Sequence, residues 1–132
     1  AGEETCQGWM EAAPSVSFTV WDHSDRRTIY LLNTDWASDQ DQRPATFIYK
    51  GKKFPVVVRR YHIETIHCAD GLAVMPASNT TDILSVCKRE NGWVIKVQTT
   101  GNDVVQCMNA VTGKVEPIKF AEPGVHEVFV NE

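Results

Sequence analysis

At 132 residues, with 42% hydrophobic and 23% charged side chains, the chain suits one globular domain with a proper core. A net charge of −4 argues against nucleic acid, whose binders need a concentrated basic face to displace counterions. The densest basic clusters, Lys50, Lys52, Lys53 and Arg59, Arg60, are too short to outweigh the surrounding acids and read as solvated strand faces. No apolar run approaches the ~20 residues that span a bilayer, so no membrane segment is expected. The chain opens on Ala1 without a signal peptide, as expected of a processed protein or a piece of a larger one.

The first thirteen residues carry no strand pattern and read as an N-terminal tether, leaving 14–132 as the folded domain. Val16 to Asp22 (VSFTVWD) alternates, with Val16, Phe18 and Val20 on one face and Ser17, Thr19 and Trp21 on the other. The polar turn HSDRR and then TIYLLN, Thr28 to Asn33, complete a predicted hairpin. A long polar loop follows from Thr34 to Pro44. ATFIYK, the turn Gly51-Lys52 and KFPVVVRR give a second hairpin, whose Pro55 predicts an edge strand or a bulge. YHIETIHC and LAVMP flank the turn Ala69-Asp70-Gly71.

In the second half, ILSVCK and GWVIKVQ flank Asn91-Gly92, a strong hairpin signal because both residues tolerate positive φ. VVQCMN, KVEPIKF and a final alternating VHEVFV complete roughly ten strands. Helical periodicity is nearly absent. The pattern predicts an all-β chain: a two-sheet antiparallel β-sandwich of the immunoglobulin-like or jelly-roll-like kind. Its expected core includes Phe18, Val20, Ile29, Leu31, Val56, Val58, Ile95, Val97, Val128 and Val130.

Nothing in the chain announces catalysis. No GxSxG, HExxH, GxGxxG or P-loop pattern occurs, and no acid pair is fixed across a cleft as a glycosidase requires. His62 and His67 are five apart, so on one strand they point to opposite faces. Cys6, Cys68, Cys87 and Cys107 allow three fully bridged pairings, with buried free thiols the competing reading. Asp35, Asp39 and Asp41 supply hard oxygens that could hold a structural calcium, although the loop lacks an EF-hand's glycine and terminal glutamate. Solvated acids are the commoner outcome, and no cofactor is expected.

The aromatic residues are the better lead, because a sugar ring's apolar C–H face stacks on a flat exposed indole. Trp93 shares a strand face with Ile95 and Val97 and reads as core. Trp21 points away from Phe18 and Val20, either as a binding platform or as cover for a neighbouring domain. Trp36 lies in the polar loop beside Asn33, Asp35 and Arg43, either as a binding residue among hydrogen-bonding groups or as a lid over the core edge. Tyr30, Tyr49 and Tyr61 are ordinary strand aromatics.

TIYLLNTDW, a Pro-containing loop, ATFIYKGKKFPVVVRR and YHIETIH together resemble β-sandwich accessory modules of secreted bacterial glycoside hydrolases and polysaccharide lyases. The similarity covers about Val16 to His67, and from Leu72 onward the chain matches no such module. The resemblance implies an extracellular or cell-surface, non-catalytic module bound to a parent catalytic domain. Such a module either binds a polysaccharide or oligosaccharide or buttresses the catalytic domain. The alternative outside that family is a protein-binding adhesion module.

Overall fold

The computed structural model describes residues 8–12, 16–22, 26–33, 42–59, 63–77 and 80–132, and side chains within 19–22, 26–32, 46–59, 63–77 and 80–132. The described chain is all-β and forms twelve strands. They are β1 (Gly8–Ala12), β2 (Val16–Asp22), β3 (Arg27–Asn33), β4 (Gln42–Tyr49), β5 (Lys52–Arg59), β6 (Ile63–Ala69), β7 (Leu72–Pro76), β8 (Asp82–Arg89), β9 (Gly92–Thr99), β10 (Asp103–Asn109), β11 (Val115–Phe120) and β12 (Gly124–Asn131). All pairings are antiparallel, as the alternating pattern requires.

The sandwich has three sheets where the sequence suggested two. A central sheet runs β11-β10-β7-β6-β3-β2, and β1-β4-β5 and β12-β9-β8 form a smaller sheet each. Two apolar cores explain how they stack. Ile29, Leu31, Ile66, Cys68, Ala73 and Met108 of the central sheet pack with Phe47, Tyr49, Phe54, Val56 and Val58. Leu72, Val74, Val105, Cys107 and Phe120 pack instead with Ile83, Val86, Trp93, Ile95, Val97 and Val130. On β7 and β10 the two sets alternate residue by residue, so they lie on opposite faces of the central sheet. We call the Ile29 side the back face and the Val74 side the front face. The sheet β1-β4-β5 covers the back over β3 and β6, and β8-β9-β12 covers the front over β7, β10 and β11.

The turn between β6 and β7 is pinned from both outer sheets. Gly71 donates its N–H to the Tyr49 hydroxyl at 3.0 Å, and Trp93 Nε1–H donates to the Asp70 carbonyl at 3.1 Å. Both aromatics are fully buried, and their polar atoms thereby find the partner that burial demands. Asp70 and Gly71 sit at φ 48° and 95°, the left-handed pair of a tight hairpin turn that glycine accepts without strain.

Several expectations hold in detail. Ile29, Leu31, Val56, Val58, Ile95, Val97 and Val130 are buried, and Val128 packs against the front core. Pro55 lies on β5, an edge strand, opposite Thr46. Others need correction. Gly8–Ala12, read as part of a tether, is a strand paired with β4; five residues are too few to display alternation in sequence. Val20 is 41% exposed because β2 is the outermost strand and the covering sheet leaves it in the open. The second hairpin turns at Lys50-Gly51, one residue earlier than expected. The hairpin of Asn91-Gly92 forms, but its turn is Glu90-Asn91 and neither Asn91 nor Gly92 has positive φ. Glycine is required at 92 for space: a Cβ there would meet the Val130 carbonyl oxygen at 2.1 Å. The side chain of Phe18 lies outside the described set.

Candidate functional site

Because the front covering sheet stops at β8, the front face stays open at Thr19 and Trp21 of β2, Tyr30 and Leu32 of β3 and Ile63 and Thr65 of β6, while Thr28 and His67 are buried. Register sets which residues stand there. Trp21 pairs with Thr28 and Thr19 with Tyr30, and β6 continues those rows with His67 and Thr65. Trp21 is 60% exposed and Ile63 56%, with Leu32 exposed and Tyr30 half-buried beside them. Thr19, Trp21, Tyr30, Leu32 and Ile63 line one shallow depression of about 310 Å³. Trp21 and Tyr30 are diagonal neighbours across the β2–β3 ladder, within reach for long aromatic side chains.

Next to this platform runs a groove of about 570 Å³ at the step between the central sheet and β8. Tyr30 and Ile63 line both hollows, so the two are continuous. Arg26, Thr65, His67, Thr81 and Asp82 make the groove polar. Its floor is a bonded network. Arg26 donates from Nε to His67 Nδ1 at 3.2 Å, from Nη2 to the Ile83 carbonyl at 3.0 Å and from Nη1 to the Leu84 carbonyl at 3.2 Å. The ladder register of β8 shifts between Ile83 and Ser85, and Arg26 supplies donors to the carbonyls at that bulge. A guanidinium has no acceptor, so His67 Nδ1 must offer a lone pair and the ring proton sits on Nε2. Nε2 lies 3.2 Å from Thr65 Oγ1, which accepts that proton's hydrogen bond, and Thr28 Oγ1 approaches Nδ1 at the same distance. The cluster ties the central sheet to β8.

Behind the rim, Asp103 accepts hydrogen bonds from the Thr81 hydroxyl and from the Thr100 N–H at 3.2 Å. The Thr81 bond first, with the Thr100 and Gly101 amides, holds its carboxyl below the ordinary aspartate range against the opposing effect of burial. These groups are satisfied by each other and shape the groove without offering a reactive atom.

Of the residues singled out in the sequence, Trp21 stands on the exposed platform as its alternation predicted. Asn33 ends β3, opposite Val16, but its side chain is not described. Trp36, Asp35, Asp39 and Asp41 lie outside the described residues, and the calcium reading with them. Arg43, placed by the sequence in the polar loop, belongs to β4 in register with Val58. That strand covers the back of the central sheet, so Arg43 is on the other side of the sheet from Trp21.

Among the described cysteines, Cys87 and Cys107 are thiols and Cys68 packs in the back core; Cys6 is outside the described set. Burial, with a contribution from Glu116, pushes the Cys107 thiol up to about 12, which makes it inert as a nucleophile. Among the described residues no group of three His, Cys, Asp or Glu side chains is placed to hold a metal ion.

Sequence reasoning missed Arg26, Ile63, Thr65 and Asp82 and set Tyr30 aside. Tyr30 was recoverable, since the register of the first hairpin puts it diagonal to Trp21. The others converge only through β3–β6 pairing and the packing of β8, which no local pattern encodes. Compared with known proteins, the chain matches no family model, no curated protein and no solved structure.

Proposed function

We propose that this protein is a non-catalytic glycan-binding module whose site is the open front face of β2, β3 and β6. The observation that carries the reading is Trp21, 60% exposed on a flat sheet face and continuous with a polar groove. An exposed indole at that position is unsheltered apolar surface, which selection for stability alone does not explain. It suits the C–H face of a pyranose ring, with Tyr30 as a second aromatic edge. The hydroxyls of the same or the next ring then meet Thr65 and Asp82 in the groove. One stacked ring should contribute about 1–3 kcal/mol, by analogy with base–aromatic stacking. A single module of this kind would bind in roughly the micromolar to millimolar range.

Leu32 and Ile63 favour a second reading. They widen the apolar part of the face towards what a protein partner, including a parent catalytic domain, would cover. Affinity electrophoresis separates the two. In gels containing soluble xylan, galactomannan or β-glucan, the wild type is expected to be retarded by at least one polysaccharide. Trp21→Ala should lose at least tenfold in affinity while its unfolding free energy changes by less than about 0.5 kcal/mol, as for an exposed position. Undiminished binding by a folded Trp21→Ala would remove the site, and no binding by the wild type would pass the face to a protein partner.

A further inference from the structure

Charge at the groove restricts which glycan the site can take. Among the described residues, three formally charged side chains line it: Arg26, Glu64 and Asp82. The Arg26 guanidinium uses all three nitrogens within the protein, on His67 Nδ1 and on the Ile83 and Leu84 carbonyls. A carboxylate or sulfate could take the Nε–Nη2 edge of the fork only by releasing His67 and the Ile83 carbonyl. His67 is held as an Nδ1 acceptor towards that guanidinium, so it faces the groove as a neutral ring. Both Glu64 oxygens are engaged by Arg59, at 2.7 and 2.9 Å. Near Trp21, the adjacent cation Arg27 is paired with Asp22 at 2.9 Å. Asp82 differs from all of these. It is exposed on the groove wall, and no ion pair or hydrogen bond engages its carboxylate among the described residues. Among the described residues the groove therefore presents to its ligand hydrogen-bond acceptors and a carboxylate that no ion pair engages, on a chain whose net charge is −4.

We infer that the Trp21 face takes a neutral, hydroxyl-rich glycan and rejects acidic ones, with the Asp82 carboxylate accepting hydrogen bonds from sugar hydroxyls. This rests on the glycan-binding reading and narrows it. Neutral hydroxyls donate to a carboxylate in charge-assisted hydrogen bonds, which are stronger than those between neutral groups. A uronate or sulfate would bring like charge against Asp82, and among the described groove residues the one cation, Arg26, is already engaged within the protein.

The test is a matched affinity-gel panel: xylan, galactomannan and β-glucan on one side, polygalacturonate and dextran sulfate on the other. The wild type and Asp82→Ala are run at about 20 and 500 mM NaCl, conditions under which exposed charge attraction is respectively strong and screened. The expected result is retardation by at least one neutral polysaccharide at both salt concentrations, about tenfold weaker in Asp82→Ala, and none by the acidic polymers. Retardation by an acidic polymer alone, abolished at high salt, would overturn the inference while leaving glycan binding in place. Neutral binding that Asp82→Ala leaves unchanged would overturn the role of Asp82. Absence of retardation by every polymer would overturn both the inference and the reading beneath it.

Discussion

Two grooves of nearly equal size flank the central sheet, one on each face, and their difference is the reason for proposing the front one as the site. The front groove encloses about 570 Å³ beside β8, and the back groove about 580 Å³ beside β5. Both arise the same way: an outer sheet narrower than the central one leaves a step at its edge. Their linings diverge. The front step has Tyr30, Thr65, His67 and Asp82 and opens onto Trp21, whereas the back step has Pro55, Val57, Met75, Met108 and Val115. The back step's ion pair is closed on itself, since Glu64 takes the Arg59 guanidinium and also its backbone N–H at 3.2 Å. That contact and Pro55, which has no N–H, leave the free edge of β5 with fewer donors for another strand. Architecture makes both hollows; what sets the front one apart is the exposed aromatic surface of Trp21 that it opens onto.

The comparison breaks most severely if a covering sheet is lost. Trp93 is the largest fully buried side chain among the described residues and anchors β8-β9-β12, the wall of the front groove. Trp93→Ala should cost about 3–5 kcal/mol in denaturant unfolding and abolish front-face binding with it. A cost below about 1 kcal/mol would mean that the front core is not what holds this wall.

A smaller effect is expected at the back. Glu64 is almost wholly buried and holds the Arg59 side chain, itself about one-third exposed, and this pairing raises the Arg59 pKa above its ordinary value. Because water can still reach Arg59, Glu64→Ala should cost only about 1–2 kcal/mol. Chemical denaturation reads that cost, and a loss of about 3–5 kcal/mol would show instead that Arg59 is left as an uncompensated buried charge.

The mildest perturbation is acid. Asp103 is held below its ordinary range chiefly by Thr81, which lines the front groove. A depressed folded value means that Asp103 stabilises the protein above the unfolded aspartate pKa and loses that contribution as pH falls through the folded one. The melting temperature of the wild type should therefore fall towards that of Asp103→Asn as pH drops below about 4. Parallel curves would show that the Thr81–Asp103 bond contributes nothing to the rim.

How much of this was legible in the sequence follows from how far each feature reaches along the chain. The hairpins β2–β3, β4–β5, β6–β7 and β8–β9 announce themselves through alternation and turn residues, because both strands and the turn are contiguous. The exposure of Trp21 follows from the same alternation. The third sheet does not, since whether a hairpin joins a sheet or covers it depends on pairings such as β3 with β6 and β7 with β10. Val20 failed for a related reason: alternation gives the face of a residue, and only topology says whether that face is covered. Arg43 and Pro44 close a polar stretch that reads as loop, yet they belong to β4, the middle strand of its sheet; Pro44 is accommodated because the described rungs with β1 run only from Ala45 to Tyr49. The groove wall at Asp82 and the Arg26 clasp on Ile83 and Leu84 join residues more than fifty positions apart, beyond any local pattern.

The most direct test of the central claim is a backbone amide NMR titration with a neutral oligosaccharide identified by the gel panel. The account predicts that the resonances of Thr19, Trp21, Tyr30, Thr65 and Asp82 shift on binding, while those of Val57, Gln106 and Val115 around the back groove stay in place. Shifts confined to the back groove, or absent from Trp21 and Tyr30, would contradict it.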